Sequence, residues 1–457
     1  MKSSLGSETR KMALGEVVEK QDIHSSMGPF RFLPTYRRRY PKVVVDALGE
    51  LYKEYNQSFT SLVEANREWN TDYQYCLSEE CPVNWAVQID MMGLSDSFLS
   101  ESVIWSVAEL IGYLRTKIFE IENSLAMYQL LANIFSKNGR DSFFKNRFHL
   151  VLSGLRKRYR KPIALLAVTE EKYQAVRESE FGKVGKESLS DTEVQTLSGF
   201  DRLFGPREFL EHLSANGGAC RYLLYARTSD PVAKLKKPDL SIEQPLLSVP
   251  EIRRVIKANT LTMNIDNPAW PVSDFRRIND TKGYMPPMGM AFPISSETDL
   301  LSPRFAEHLH AGNPYAEFPN FRLSSRFLSY LRSSGVDSQC LADGADITLR
   351  CKPSQGTYGC YGHITGLLSD RDFRQKLRSN IRKRGPYVVQ PEMEVPQIFN
   401  ETDGTTYSFI DRNFLGMAGG CPVFLGGERT LMPADSIEAR RHRIHGNRSS
   451  VAAEIIS

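Results

Sequence analysis

The sequence predicts a mixed α/β (α+β) chain, and three patterns along its 457 residues predict it. Apolar residues recur at helical spacing through much of the first third, two continuous apolar runs are joined to helical stretches near the middle, and short β-like runs alternate with glycine turns towards the end. A composition 41% apolar and 25% charged is that of a folded soluble chain. The length allows roughly two to three domains at about 150 residues each.

Residues 1–40 mix Ser, Gly, Lys and Glu and end in PTYRRRYPK, which reads as a flexible basic arm. Residues 41–158 read as a helical region. VVVDALGELYKEYNQSFTSLVEANREW and SVIWSVAELIGYLRTKIFEIENSLAMYQLLANIF place apolar residues at i, i+3, i+4 and i+7, which predicts two long amphipathic helices. Between them NWAVQIDMMG (84–93) predicts a strand carrying Asp90 and ending at a glycine.

Residues 159–260 predict a small α/β unit. The run PIALLAV is continuously apolar and feeds TEEKYQA, a capped helix start, as a buried parallel strand does. REFLEHLSANGG then reads as a helix with a glycine stop, and CRYLLYAR as a second strand. Residues 261–457 alternate short strands, turns and helices, without an internal repeat.

Several function classes recede on composition. The net charge of +4 is too mild to imply nucleic acid by itself. No window approaches the roughly 18 apolar residues of a membrane span, and the N-terminus has no apolar signal core, so the expectation is a cytoplasmic protein with no membrane partner. Seven cysteines are scattered singly, which predicts reduced thiols. Cys76 and Cys81 lack the further ligands that would complete a metal site.

The chemistry-bearing stretch is LRCKPSQGTYGCYG (349–362). Read as strand, loop and strand, it puts Lys352 near a strand end before Gly356, Gly359 and Gly362, where a lysine charge and close-approaching backbone N–H groups suit phosphate. It is neither a Walker A loop nor GxGxxG, and alone it fits a tight turn equally well. In GPYVVQPEMEVPQ (385–397) Gln390 and Glu392 lie two apart and so share a strand face. DGTTYSFIDRNFLG (403–416) brings Asp411 and Arg412 on a strand after a turn. PVFLGGERTLMP (422–433) presents Arg429 after a Gly-Gly turn, and HRIHGNRSS (442–450) gathers Arg443, Asn447 and Arg448.

This order resembles the ATP-grasp superfamily of ATP-dependent ligases, most nearly its circularly permuted, glutathionylspermidine synthase-like group. Those chains carry K-P-x-x-G-x-x-G-x-G, Y-[IV]-x-Q-P, D-x-R and G-G-x-x-R in the same sequence. Here Lys352-Pro353 and the three glycines, Tyr387 to Pro391, Asp411-Arg412 without the intervening residue, and Gly426-Gly427 with Arg429 one residue early stand for them. FRRINDTKGYMP (275–286) is similar to the group's D-x-K segment through Lys282. The resemblance covers about residues 260–457 and implies an ATP-grasp-like C-terminal domain. It implies ATP and Mg2+ as cofactors and an acid and an amine as small-molecule substrates, joined through an acylphosphate. Lys282, Lys352, Gly356, Gly359, Gly362, Gln390 and Glu392 would hold the nucleotide, Arg412 and Arg429 would serve catalysis, and Asp411 and Asn447 would meet the metal. Self-association is left open.

The chain departs from the family in two places. No E-x-N pair for magnesium follows Asn447, so a permuted domain needs a strand from near the N-terminus, with Asp90 its one candidate. EIEN (120–123) sits in a helical pattern and reads as an exposed helix face. Asp411 and Arg412 are adjacent, which puts them on opposite faces of a strand unless a bulge intervenes. A ligase relic that binds nucleotide or a partner without catalysis is the main rival reading. A protein contacting RNA through its arm and the basic run 376–385 is the other, although that run alone reads as a solvated helix face.

Overall fold

The computed structural model describes residues 10–20, 30–65, 86–122, 143–175, 199–229, 246, 249–259, 264–266, 292–301, 323–334, 336, 347–353, 363–436 and 450–457. Two compact units emerge. The first comprises Met1–Leu110, Ile121–Pro268 and Val395–Ser457, and the second Ile111–Glu120 and Ala269–Glu394. The cut at Glu394 runs through the 261–457 stretch, so its two halves belong to different units.

The first unit is built on a mixed sheet. Strands β1 (Arg10–Met12), β14 (Gln397–Asn400), β15 (Thr405–Ala418), β16 (Cys421–Pro433), β17 (Val451–Ile456), β3 (Phe30–Arg39) and β2 (Val18–Lys20) lie side by side in that order. The ribbon β15–β16 is antiparallel over its length and turns at Gly419 and Gly420, both with positive φ. Strand β4 (Ala86–Met92) pairs antiparallel with β15, from Ile410 opposite Met92 to Gly416 opposite Ala86. Thus AVQIDMM of the predicted strand segment joins the same sheet as the C-terminal ribbon, and every residue of β4 is buried.

Three expectations need correction here. PTYRRR belongs to the ten-residue strand β3, which pairs parallel with β17, and so is no loose arm. The Gly426-Gly427 pair is no turn but lies inside β16. Gly426, at φ +117°, stands opposite Phe414 where the β15–β16 register shifts between Phe414 and Leu415. The long helix read over 102–135 is broken. Helix α2 (Asp96–Glu101) and a 3-10 turn precede α3 (Val107–Arg115), and the chain then forms strand β5 (Ile118–Glu122). The segment IFEIE is β-branched, aromatic and alternating, which suits an extended strand once Thr116 and Lys117 turn the chain.

Two helices pack on this sheet. Helix α1 (Lys42–Ala65) buries Val44, Ala47, Leu48, Leu51, Tyr52 and Tyr55, a stripe at helical spacing. Helix α4 (Phe143–Tyr159) buries Phe144, Phe148, Val151, Leu152 and Leu155, with Phe144 edge-on to Phe414. The same unit holds a smaller sheet in which β6 (Ile163–Ala167), β7 (Arg202–Phe204), β8 (Leu223–Ser229) and β9 (Asn264–Asp266) run parallel in the order β7-β6-β8-β9. Helices α5 (Glu170–Ala175), α6 (Pro206–Ala215) and α7 (Pro250–Asn259) connect these strands, and Phe209 and Ile256 seal the core. All of β6 is buried, which explains why its sequence is an unbroken apolar run.

The second unit is a four-stranded antiparallel sheet, β10 (Phe292–Ile294), β13 (Tyr387–Pro391), β11 (Thr348–Pro353) and β12 (Ile364–Leu367), in the order β10-β13-β11-β12. Strand β11 alternates buried and half-buried residues along its length. Leu349 and Cys351 face a core shared with Tyr387 and Val389 and with helices α8 (Ser325–Ser333) and α9 (Arg371–Arg384), through Phe327, Leu331, Phe373 and Leu377. One face of this sheet is therefore closed by helices, and the alternation turns Arg350 and Lys352 to the other.

Candidate functional site

On that second face the register sets Arg350 opposite Gln390 and Lys352 opposite Val388, so Arg350, Lys352 and Gln390 share one side of the sheet, with Gln390 buried. Glu392 follows directly, its N–H donating to the Thr348 carbonyl, and its carboxylate accepts from Arg350 Nε at 3.1 Å and Nη2 at 3.2 Å. Burial lowers the Arg350 pKa, and Glu392 offsets part of that shift. The Lys352 ammonium stands 3.8 Å from Glu120 Oε2 and 5.2 Å from the Phe119 ring centroid. The Gln390 amide donates to the Phe119 carbonyl at 3.2 Å. Phe119 and Glu120 thus meet the residues the sequence marked for nucleotide. Helical patterning hid them, because IFEIE keeps the helix spacing as well as the strand alternation.

Lys352, Gln390 and Glu392 are brought together on this face. Lys282, Gly356, Gly359, Gly362 and Asn447 lie outside the described residues, as do Arg443 and Arg448.

The large sheet of the first unit holds the remaining predicted residues, on two opposite faces. The register break falls between Phe414 and Leu415, too late to bring Asp411 and Arg412 to one side. The expected joint site of Arg412 and Arg429 is accordingly not formed.

On one face Arg429 and Asp411 make a two-point ion pair, Nε to Oδ1 at 2.7 Å and Nη2 to Oδ2 at 2.8 Å. Asp411 Oδ2 also accepts from the Tyr40 hydroxyl at 2.7 Å and the Leu94 N–H at 2.9 Å. Arg429 donates to the Leu94 carbonyl at 2.8 Å and towards the Tyr36 hydroxyl at 3.4 Å, and its guanidinium lies 4.1 Å from the Phe409 ring centroid. Both side chains are essentially inaccessible, 1% for Arg429 and 0% for Asp411. Burial by itself would lower the Arg429 pKa, but Asp411 and the two tyrosines outweigh it and the net shift is upward. Burial first, and then the Asp411 charge, push the Tyr40 phenol well above its ordinary value. A carboxylate accepting four hydrogen bonds and an arginine so enclosed form a clamp joining β3, the loop after β4, β15 and β16. For Asp411, expected as a metal ligand, and Arg429, expected as a catalytic group, the geometry describes a structural role.

The opposite face carries a charged row in register across five strands: Asp90, Arg412, Glu428, Glu454 and Arg37. Arg412 reaches Asp90 at 3.2 Å and Glu428 at 3.5 Å, and Arg37 meets Glu454 at 2.5 Å. Gln88, two residues before Asp90, donates to it at 3.1 Å. Such a row is costly to bury unless opposite charges meet within it; Arg412 lies between Asp90 and Glu428 and Arg37 meets Glu454, whereas Glu428 and Glu454 stand opposite each other as like charges. Sequence reasoning missed Glu428 and Glu454, because their place beside Arg412 depends on pairing between distant strands.

Among the described residues no group of three His, Cys, Asp or Glu is arranged to hold a metal ion. Cys220, Cys351 and Cys421 are free thiols, and no helix among the described residues is long and apolar enough to cross a membrane. No family model and no curated protein matches the chain.

Proposed function

We propose that the protein is an ATP-dependent carboxylate–amine ligase of the ATP-grasp type, acting on an amino acid or small peptide. The observation that carries this reading is the placing of Lys352, Gln390 and Glu392 on one face of an antiparallel sheet whose other face is closed by helices. The connectivity favours it too. The lysine strand β11 pairs antiparallel with β12, the next strand in sequence, and a helix then leads to the strand of the Gln-Pro-Glu run.

A cationic strand end beside a polar amide fits a nucleotide's phosphates and base, and ATP supplies the phosphoryl group that makes a carboxylate reactive. Lys352 holds phosphate charge, while Gln390 and Glu392 orient the adenosine. Phosphoryl transfer asks a protein mainly for positioning and charge neutralisation, which is what fixed side chains on a rigid sheet provide. The activated acid is an acylphosphate, and the amine displaces phosphate from it to form the amide. Among the described residues the carboxylates do not make a magnesium site.

Calorimetric titration with Mg·ATP, followed by detection of ADP and phosphate release across a panel of amino acids, tests the reading. Binding with substrate-dependent ADP release is expected, and Lys352→Ala should weaken that binding. Binding without turnover under every substrate would instead support a nucleotide-binding relic. Absence of any nucleotide binding would overturn both.

A further inference from the structure

Helix α9 carries seven Lys or Arg and one Asp in fourteen residues, a net of +6 in a chain whose whole formal charge is +4. The rest of the chain is therefore net negative, and positive charge is concentrated on this helix. By sequence the run reads as no more than a solvated helix face, because a footprint for a polyanion needs a broader basic surface. The structure supplies that breadth.

Helix α8 shares one core with α9 on the same sheet face, through Phe327 and Leu331 from α8 and Phe373 and Leu377 from α9. It adds Arg326 and Arg332, both exposed, and no acidic residue. On α9 Arg371, Lys376, Arg382, Lys383 and Arg384 are exposed and Arg378 is half-buried. Asp372 within α9 and its N-cap Asp370 are the acids on this helix, both at its first turn. Three of the cations, Arg382, Lys383 and Arg384, occupy the last turn, where the helix dipole alone accounts for them. Arg371 and Lys376 lie outside that turn, and Arg326 stands 5.5 Å from the Phe292 ring centroid.

Arg371, Arg378 and Arg382 fall on one line of the helix at i, i+7 and i+11, a span of about 16 Å at about 1.5 Å per residue. Lys376 and Lys383 form a second line beside it. The outward positions between them are Gln375 and Ser379, which can donate to phosphate oxygens. No large apolar side chain of α9 points outward, since Phe373, Leu377 and Ile381 all belong to the core. A surface with charge but no apolar anchor suits a phosphodiester chain better than a bilayer.

We propose that the outer helical layer formed by α8 and α9 binds RNA through its phosphate backbone, without sequence preference. This surface lies on the side of its sheet opposite Lys352 and Gln390, so it is separate from the nucleotide face and independent of the ligase reading.

The test is fluorescence anisotropy of the full chain with a labelled 20-nucleotide RNA at several salt concentrations. Retention on phosphatidylserine vesicles is measured in parallel. Replacing Arg371, Lys376, Arg382 and Lys383 by Gln should weaken RNA binding by at least about tenfold at low salt. It should also shallow the log K against log salt slope by roughly 0.7 for each phosphate no longer neutralised. Arg326→Gln with Arg332→Gln should give a smaller loss in the same direction. Lys157→Gln with Arg158→Gln, exposed at the end of α4 in the other unit, should change nothing. The proposal fails if the fourfold variant binds like wild type, if the α4 pair costs as much, or if vesicles are retained and RNA is not. Should the fourfold variant misfold, the pairs Arg371→Gln/Lys376→Gln and Arg382→Gln/Lys383→Gln carry the same expectation.

Discussion

Two arginine–carboxylate pairs in this protein are made of the same groups and differ in how far they are enclosed. Arg429 and Asp411 are sealed in the large sheet, and every hydrogen bond of that carboxylate is spent inside the protein. Arg350 and Glu392 sit at 13% and 20% exposure on the polar face of the small sheet, next to a lysine whose own carboxylate partner is 3.8 Å away. Saturation and burial mark the first as architecture. Partial exposure and a loose lysine contact leave the second less enclosed, on the face where the proposed function seats the nucleotide. An arginine spaced like a family motif is therefore no guide to chemistry until its partners are known.

The largest expected effect comes from breaking the sealed pair. Arg429→Ala leaves Asp411 buried without its counter-charge and should cost about 3–5 kcal/mol in urea unfolding. If the clamp is architectural, the double change Arg429→Met with Asp411→Leu should recover a good part of that loss, because it removes both buried charges at once. Recovery would show that the single variant's loss is the penalty of a buried charge left without its partner. A double variant as unstable as the single one would show that the hydrogen bonds to Tyr40 and Leu94 carry the energy.

Next in size is the glycine that lets the Leu94 backbone reach the clamp. A Cβ on Gly93 would stand 2.1 Å from Phe409 Cδ2, under the ring on which Arg429 lies. Gly93→Ala must push that ring aside, and a loss of about 1–3 kcal/mol in thermal or urea unfolding is expected, the usual cost of overpacking a core. A shift below a few tenths would mean that Phe409 is free to move and the clamp is less rigid than its distances suggest.

The polar face should respond in the reverse sense. Lys352→Ala removes a half-buried ammonium with a long ion pair and a ring contact, so unfolding stability should change by less than about 1 kcal/mol. Mg·ATP affinity, measured on the same samples, should fall at least tenfold on the proposed function. Equal losses in both measurements would erase the distinction between the two regions.

The same contrast explains how much of the molecule was legible in the sequence. Strands β6 and β8 and helix α6 follow local patterns, an unbroken apolar run or a helix closed by glycine, and were readable. So were β11, β12 and β13 and the common face of Gln390 and Glu392, because strand alternation is itself local. What failed depended on distant partners. PTYRRR looks like a basic arm until Glu454 and Asp96 are placed against Arg37 and Arg38. IFEIE looks helical until its extended form brings Glu120 to Lys352. The charged row on the large sheet joins residues 37, 90, 412, 428 and 454, and no short window contains more than two of them.

The smallest expected effect lies at the turn between β14 and β15 and concerns a carboxylate that is neither sealed nor offered to a ligand. Burial would raise the Asp403 pKa, but the Thr405 N–H at 2.9 Å and the Tyr407 hydroxyl at 2.8 Å outweigh it and hold the carboxyl below its ordinary 3.8. The Tyr407 phenol is pushed up to about 12, by burial first and then by Asp403. A carboxyl lowered in the folded state binds its proton more readily when unfolded. Its contribution is therefore complete above the ordinary value and disappears as pH falls through the folded one. Asp403→Asn should cost less than about 1 kcal/mol at pH 7, in keeping with an exposed charge. The gap from wild type should close as the pH drops below 3.8. If urea midpoints taken from pH 7 to pH 3 show a constant gap, the turn is held by shape and the carboxylate charge contributes nothing.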